Sequence, residues 1–214
     1  MNLTFGIMTQ YDNIPQLNEV ITSIKSLNVP DVEIIVVGSY NDHDYAKVDA
    51  TVQQVLTDGW TPRKKNLVAK MARHETMVLL HDYFLFDKDW YASYREFGSE
   101  WDICSNQQFL LNGKRHFTDW VLWGHPTLPR YHSLDYNDWA NTKYQYVSGG
   151  YFLVKRDFLR ANPFNEAMQP GSPEDIEWSL RIRDTAVIKC NPRAIVRHNK
   201  VHRDNDKKGF PYEQ

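Results

Sequence analysis

The chain contains a histidine, an aspartate and a tyrosine in succession, His81-Asp82-Tyr83, directly after an apolar run at residues 76–80. A carboxylate at the end of a buried strand is costly unless it has a partner. Asp82 therefore either holds a divalent cation through its oxygens or caps the turn that follows. His81 could assist, because Mn²⁺ tolerates imidazole as well as oxygen ligands.

A second acidic group, Glu174-Asp175, lies within the segment SPEDIE. Ser172, then Pro173, then acids resemble a capping box at a helix start, where acids also complement the helix dipole. The same carboxylates could instead accept a proton from a substrate. A helix N-terminus weakens a carboxylate as a base, so burial would have to raise its pKa again. Glu177 and Arg181 are spaced to pair one turn apart.

Two further groups carry histidines and cations. His198 and His202 are four residues apart and would share a face if the segment were helical. The preceding letters AIVR are typical of a strand end, so the rings need not meet. The run Arg63-Lys64-Lys65-Asn66 opens a predicted helix, where cations do not help the dipole. It indicates either an anion such as a diphosphate or a solvated helix face.

The elements that must position these groups begin with a βαβ unit. Residues 3–8 form an apolar strand, Asp12 or Asn13 caps a helix, and residues 32–37 form a second, fully buried strand. Further strands are predicted within 49–56, 76–80 and 102–105, and helices from Thr61 and at 157–161 and 172–183. Ligands bind beyond the carboxyl ends of such strands, which brings together residues 9–12, 38–42 and 81–83.

The second half of the chain is less regular. Residues 107–145 hold many Trp and Tyr residues, including Trp139, with scattered prolines, and we expect irregular structure around a hairpin. Residues 146–154 are typical of a strand, a glycine break and a strand. Two more strands are predicted at 187–190 and 194–197. The tail from 203 to 214 is polar.

The composition is that of an ordinary folded domain. The 214 residues carry a net charge of -2, with 42% hydrophobic and 24% charged residues, and this size fits one domain. No apolar run is long enough for a membrane span, and no signal peptide is recognised. Cys104 and Cys190 are expected to be buried thiols, and the cytoplasm is the expected compartment. The balanced charge does not favour a nucleic-acid binder.

The order of these segments resembles family 2-type glycosyltransferases with the A-type fold. The match rests on VEIIVVG, on Lys65-Asn66 in a helix, on the strand leading into HDY, and on VSGG, FNE and EDIEWSLRIR before a strand ending in His198. It covers about residues 3–200. It implies an α/β, single-domain fold with a Rossmann-like mixed central sheet flanked by helices. The domain would span 1–202, with a nucleotide-sugar-binding half (1–105), an acceptor half (106–202) and the tail 203–214 outside it.

The resemblance also implies a role for individual residues and a divalent cofactor, Mn²⁺ or Mg²⁺. Asp175 would be the catalytic base that deprotonates an acceptor hydroxyl, with Glu174 beside it, and Asp82 and His198 would hold the metal. The implied nucleotide-sugar-binding residues are Thr9, Gln10, Tyr11, Ser39, Lys65, Asn66, His81, Asp82, Gly149 and Gly150. The predicted acceptor-binding residues are Trp120, Trp123, Tyr151 and Trp178. The expected donor is a nucleoside-diphosphate sugar, most often a UDP-sugar, used by a hexosyl- or pentosyltransferase.

The sequence departs from the family pattern at two places. HDY replaces two acids separated by one residue, and Ser39-Tyr40-Asn41-Asp42 replaces the acidic pair after the second strand. The arginine-tryptophan motif of processive synthases is absent, which favours a single transfer, and the resemblance implies that this transfer inverts the anomeric carbon. Two alternatives remain open: a phage-type relative that modifies hydroxymethylated DNA bases, and a non-catalytic nucleotide- or glycan-binding relative. A nucleotidyltransferase would need a Gly- and Arg-rich loop where this chain has TQYDN.

Overall fold

The computed structural model describes residues 1–39, 47–138 and 142–200. Predictions that involve residues 40–42, Trp139, His202 and the tail 203–214 lie outside these ranges. The helices in the described part are α1 (Ile14–Ser26), α2 (Thr61–Met71), α3 (Trp90–Phe97), α4 (Arg156–Ala161) and α5 (Glu174–Ile182). The strands are β1 (Leu3–Met8), β2 (Val32–Ser39), β3 (Gln53–Thr57), β4 (Thr76–His81), β5 (Phe84–Phe86), β6 (Ile103–Leu110), β7 (Val121–Trp123), β8 (Tyr131–Ser133), β9 (Gln145–Tyr146), β10 (Tyr151–Lys155) and β11 (Ile188–His198).

Eight strands form one mixed sheet in the order β3-β2-β1-β4-β10-β6-β11-β5. The first four are parallel, β10 runs antiparallel to both β4 and β6, β11 is parallel to β6, and β5 is antiparallel to β11. Buried side chains from both faces of this sheet form two large apolar clusters. The mixed α/β sheet predicted from the sequence is thereby confirmed.

The first βαβ unit forms where the sequence predicts it. All six residues of β1 are buried, as expected for a strand covered on both faces. The Asn13 side chain accepts a hydrogen bond from the Gln16 amide over 3.1 Å, which satisfies one of the free N–H groups at the start of α1. Leu17, Ile21 and Ile24 then face the core from one side of the helix.

A three-stranded sheet in the order β8-β7-β9 lies within the region expected to be irregular. Its central anchor is the buried Asp119 carboxylate, which accepts hydrogen bonds from Arg115 Nε at 2.9 Å and from the Tyr136 hydroxyl. Arg115 also donates to the carbonyl of Leu134 over 2.8 Å and lies over the Tyr136 ring. The hairpin expected in this region corresponds to β7 and β8, whereas the pairing of β9 with β7 was not predicted.

Several local predictions need correction. Helix α5 begins at Glu174, and the Glu174 amide bonds to the carbonyl of Ser172 rather than to its hydroxyl, so the predicted capping box is wrong. The two strands predicted at 187–190 and 194–197 are one strand with a bulge between Asn191 and Ile195. Helix α3 was not predicted. The Glu177–Arg181 pair is confirmed at 2.9 Å.

Both cysteines are buried free thiols, as predicted. Burial raises the pKa of the Cys104 thiol to about 12, so it stays protonated and unreactive. Within the ranges that the structure describes, no helix is both long and apolar enough to cross a bilayer.

Candidate functional site

The site lies where the chain order of the main sheet reverses. The chain leaves β1 for β2 and β3 and then returns to form β4 on the other side of β1, so the carboxyl ends of β1 and β4 lie side by side. Thr9 and Asp82 follow these two ends, and the Thr9 hydroxyl donates to Asp82 Oδ2 over 2.5 Å. In open α/β sheets this switch point is where ligands bind.

A cleft of about 460 Å³ opens at this edge. Its walls combine residues that follow β1 and β4 with the start of α1: Met8, Thr9, Gln10, Asp12, Asn13, Gln16, Thr61, His81, Asp82, Tyr83 and Lys200. A larger cleft of about 530 Å³ lies near the opposite ends of β1 and β4, around Met1 and Thr76. It contains none of the predicted site residues, so the smaller cleft is the candidate site.

Asp82 sits in an environment that favours a cation beside it. Burial raises the pKa of the Asp82 carboxyl, and the neighbouring Asp12 raises it further, whereas the Thr9 hydrogen bond and Lys64 lower it. The Gln16 side chain donates to the backbone carbonyl of Asp82 over 2.9 Å and holds this turn against α1. A carboxylate in such a position gains from a positive partner.

Lys64 supplies one positive charge from the protein interior. Its Nζ donates to the Thr9 carbonyl over 2.6 Å, and the side chain is buried. Burial lowers the pKa of Lys64 to about 8, and Asp82 opposes that shift. The sequence indicated this residue only as part of the basic run at 63–66.

His81, at the end of β4, connects the Asp82 turn to the glycine pair Gly149-Gly150. Its backbone N–H donates to the Gly150 carbonyl over 3.0 Å. Burial, together with the positive charges of Lys65 and Lys64, lowers the pKa of His81 to about 3. The imidazole is therefore neutral at physiological pH, and its ring stacks on Tyr83 with centroids 5.6 Å apart.

Asp175 lies on the other side of the same glycine pair. Its Oδ2 accepts hydrogen bonds from the Gly149 amide at 3.1 Å and from the Tyr146 hydroxyl, and its Oδ1 accepts from the Ile176 amide at 2.9 Å. Burial and the nearby Asp175 charge raise the pKa of Tyr146 well above its ordinary value, so the phenol remains a donor. These contacts fix the orientation of the carboxylate.

Lys65 supports the start of α5 from the interior. Its fully buried ammonium lies 3.3 Å from Glu174 Oε1 and 4.4 Å from the centroid of the Phe164 ring. Burial lowers the pKa of Lys65, and the charges of Glu174 and Asp175 oppose that shift. Lys65 thus contacts Glu174 from the protein interior and is not among the residues that line the cleft.

The two predicted acids therefore lie on either side of the pair Gly149-Gly150, although Asp175 is not among the residues that line the cleft. Asp82 follows His81, whose amide binds Gly150, and Asp175 binds the amide of Gly149. This arrangement depends on β10 running antiparallel to β4, which sets the start of β10 beside the end of β4.

Gln10, Ser39 and Tyr11 were also predicted to bind the nucleotide sugar, and they differ in whether they reach the cleft. Gln10 lines the cleft, and its side-chain oxygen accepts from the Ser39 hydroxyl over 3.1 Å. Tyr11 is buried with a positive φ of 57°, and its ring covers Gly38 so closely that an added Cβ would lie 1.7 Å from Cε2. The Tyr11 ring therefore packs under this edge of the sheet.

Asn66 has a structural role that the resemblance did not imply. Its side-chain amide donates to the Phe164 carbonyl and accepts from the Phe164 amide, each over 2.9 Å, and it also donates to Glu166 over 2.9 Å. Asn66 is buried, and these bonds fasten the 164–166 segment to α2. The side-chain nitrogen and oxygen of Asn66 are therefore already hydrogen-bonded within the protein.

All four predicted acceptor-binding rings are buried. Trp120, Tyr151 and Trp178 have no exposed surface, and their polar atoms bond within the protein. They cannot offer a face to an acceptor in this structure, which corrects that prediction. Trp123 is 5% exposed, and the Arg130 guanidinium lies 4.7 Å from its ring.

The predicted metal ligands have different environments. Asp82 offers a carboxylate at the cleft, whereas His198 Nε2 lies 3.0 Å from Gln108 Oε1 and its ring stacks on His116 at 3.8 Å. No group of three or more His, Cys, Asp or Glu side chains within the described ranges is arranged to hold a metal. The Asp82 oxygens fit a hard cation such as Mg²⁺, which commonly binds one or two carboxylates together with substrate phosphates.

Tyr146 is the residue of the site that sequence reasoning missed. It lies three positions before Gly149, and the strand prediction over 146–154 gave it no role. The available signal was a tyrosine three residues before a glycine pair in the segment that resembles the glycosyltransferases.

Solved structures of TarS from S. aureus share this fold. A fragment covering TarS residues 1–349 has a TM-score of 0.66 and 15% identity over 93% of this chain and 60% of that chain. The fragment in complex with UDP-GlcNAc has a TM-score of 0.67 and 15% identity over 98% of this chain and 62% of that chain. The fragment in complex with UDP has a TM-score of 0.64 and 13% identity over 92% of this chain and 60% of that chain. This chain thus spans about three fifths of those fragments.

No protein-family model matches the sequence, and no curated protein is similar to it in sequence. The similarity is therefore one of three-dimensional structure. The strand order, the switch point beside Asp82 and the similarity to TarS together show that this chain has the A-type glycosyltransferase fold.

Proposed function

We propose that this chain transfers a sugar from a nucleoside-diphosphate sugar to an acceptor hydroxyl. The observation that carries the proposal is that Asp175 binds the Gly149 amide while His81, the neighbour of Asp82, binds the Gly150 carbonyl. The Asp82 carboxylate lines the cleft at the switch point. The Asp175 carboxylate lies in the first turn of α5 and binds the Gly149 amide. The TarS complexes with UDP and UDP-GlcNAc support UDP as the nucleotide of the donor.

The residues around Asp82 would bind the donor. Thr9, Gln10 and His81 line the cleft, and Lys64 lies beneath it with a positive charge. Asp82 would hold a Mg²⁺ or Mn²⁺ ion together with the diphosphate. When bound, that ion supplies positive charge that stabilises the leaving diphosphate.

The residues around Asp175 would act on the acceptor. Asp175 accepts the proton of the acceptor hydroxyl while the oxygen of that hydroxyl attacks the anomeric carbon of the donor sugar. The bond between that carbon and the diphosphate oxygen breaks, and the electron pair leaves with the diphosphate. This is one displacement with inversion. Tyr146 and the Gly149 amide hold the carboxylate in place during the step.

The first experiment screens nucleotide sugars for thermal stabilisation with Mg²⁺ and Mn²⁺ and follows release of the nucleoside diphosphate. We expect a UDP-sugar to stabilise the protein and to be hydrolysed slowly. Asp175→Asn should reduce turnover by about 10²–10⁴-fold and leave donor binding intact, since it removes only the base. Asp82→Asn should weaken binding of UDP with Mg²⁺.

Two results would contradict the proposal. Donor binding with no hydrolysis or transfer would favour the non-catalytic alternative. Full turnover by Asp175→Asn would remove this residue from the role of base. Transfer to hydroxymethylated DNA rather than to a saccharide would keep the chemistry and change the acceptor.

A further inference from the structure

Lys200 is the one lysine or arginine that lines the cleft beside Asp82 in the part of the chain that the structure describes. Its ammonium lies 5.4 Å from the centroid of the Tyr83 ring, and Tyr83 lines the same cleft. Among the described residues, Lys200 makes no hydrogen bond and no ion pair. Because its side chain is also exposed, the ammonium is available to a ligand that enters the cleft.

The backbone that precedes Lys200 is anchored to two walls of the cleft. The Asn199 amide donates to the Tyr83 carbonyl over 2.7 Å. The Asn199 side chain donates to Glu19 Oε2 of α1 over 2.6 Å, and Gln16 of the same helix lines the cleft. Lys200 therefore follows a residue that is hydrogen-bonded both to the turn after β4 and to α1.

Two other lysines near the cleft already have partners within the protein. Lys64 Nζ donates to the Thr9 carbonyl and is buried, and Lys65 lies against Glu174. Neither lysine is among the residues that line the cleft. Their charges act from the interior, whereas Lys200 can contact a ligand directly.

The charges that line the cleft show what such a contact would add. Asp12 and Asp82 contribute two carboxylates, against the single ammonium of Lys200. A divalent ion at Asp82 would offset that carboxylate when the anionic diphosphate binds. Lys200 is then placed to donate charge-assisted hydrogen bonds to phosphate oxygens, a role that lysines commonly have in phosphate sites.

We propose that Lys200 binds the diphosphate of the nucleotide sugar and stabilises it as the leaving group. This inference rests on the proposed function, and it adds a residue for which no local pattern predicted a role. The lysine ammonium has several N–H donors on a long flexible stem, so it can leave the Tyr83 ring and reach phosphate oxygens. Negative charge grows on the diphosphate as its bond to the anomeric carbon breaks, and a positive group beside it stabilises that transition state.

The test measures binding of UDP and of uridine to the full chain by calorimetry with Mg²⁺. Lys200→Met removes the charge and keeps a long apolar stem beside the Tyr83 ring. We expect this variant to bind UDP about tenfold more weakly and uridine with unchanged affinity. Lys200→Arg should retain most of the UDP affinity. Lys88→Met is the matched control, because Lys88 is exposed and does not line the cleft.

The outcomes separate this inference from the proposed function. UDP binding that depends on Lys200, in a wild-type protein that neither hydrolyses nor transfers the sugar, would support the diphosphate contact and contradict the transfer activity. Unchanged UDP affinity in Lys200→Met, or an equal loss of UDP and uridine affinity, would overturn the role of Lys200 and leave the proposed function standing. A wild-type protein that binds neither compound would overturn both.

Discussion

The backbone amide of Gly149 donates to Oδ2 of Asp175, and the two residues are so close that a Cβ on Gly149 would lie 3.0 Å from that oxygen. The same Cβ would lie 3.0 Å from the Lys65 ammonium. Position 149 therefore has no room for a side chain unless one of these charged groups moves. Gly149 therefore lies between Lys65 of α2 and Asp175 of α5.

Gly149→Ala should displace the Asp175 carboxylate by a few tenths of an ångström or more. We expect transfer to fall about 10–10²-fold with unchanged affinity for UDP, because misplacement of a reacting group costs rate rather than donor binding. Steady-state kinetics and calorimetry measure the two quantities. Gly150→Ala is the comparison, since the nearest atom to its Cβ would be the Tyr83 hydroxyl oxygen at 3.3 Å and no charged group would lie as close. Equal losses in both variants would contradict the special position of Gly149.

Tyr146→Phe removes the hydroxyl that binds Asp175 and keeps the buried ring. A freer carboxylate should reduce transfer about tenfold, because one of the groups that orient the base is lost. Circular dichroism should show an unchanged fold. Tyr91→Phe, which removes a hydroxyl bonded to the Met1 carbonyl far from the site, should leave the rate unchanged. A wild-type transfer rate in Tyr146→Phe would count against its positioning role.

Lys64 should couple donor binding to pH. Its pKa is lowered to about 8 in the free protein, and a nearby diphosphate favours the charged form. Binding of UDP above pH 8 should therefore take up a proton, and affinity should decrease as pH rises beyond 8. Calorimetry at pH 8.5 in two buffers of different ionisation enthalpy measures this uptake.

Lys64→Met should abolish the proton uptake, whereas Lys70→Met, an exposed change on the same helix, should retain it. The pH dependence of stability has the opposite sign to that of UDP affinity. The unfolded lysine titrates near 10.5 and binds more protons than the folded one, so this residue makes the free protein more stable as pH rises from 8 to 10.5. Identical uptake in the Lys64→Met and wild-type proteins would assign the proton to another group.

Asn66→Ala should lower the free energy of unfolding by about 2–4 kcal/mol, because it leaves the amide and carbonyl of Phe164 without partners. Urea denaturation measures the change. Asn165→Ala, at an exposed position in the same loop, should cost under about 1 kcal/mol. Normal stability with lost UDP binding would instead restore the nucleotide-binding role predicted for Asn66.

Much of the first half of the fold was predictable from the sequence. The strands β1, β2 and β4 are continuous apolar runs, and the polar residues that end them mark one edge of a parallel sheet. Asp82 could therefore be placed at a ligand-binding edge by local pattern alone. Asp175 was indicated only by the order of motifs, since its local pattern equally fits a helix start.

The sequence by itself determined which segments are buried strands, and therefore which edge carries Asp82, because a continuous apolar run is a local property. Only the tertiary structure decided that Trp120 and Trp178 lie in the core while Phe117 stays exposed. Burial of one ring depends on what packs against it from distant parts of the chain, and no local pattern contains that information. For the same reason, the meeting of Gly149 with Asp175 could not be derived before the strands were paired.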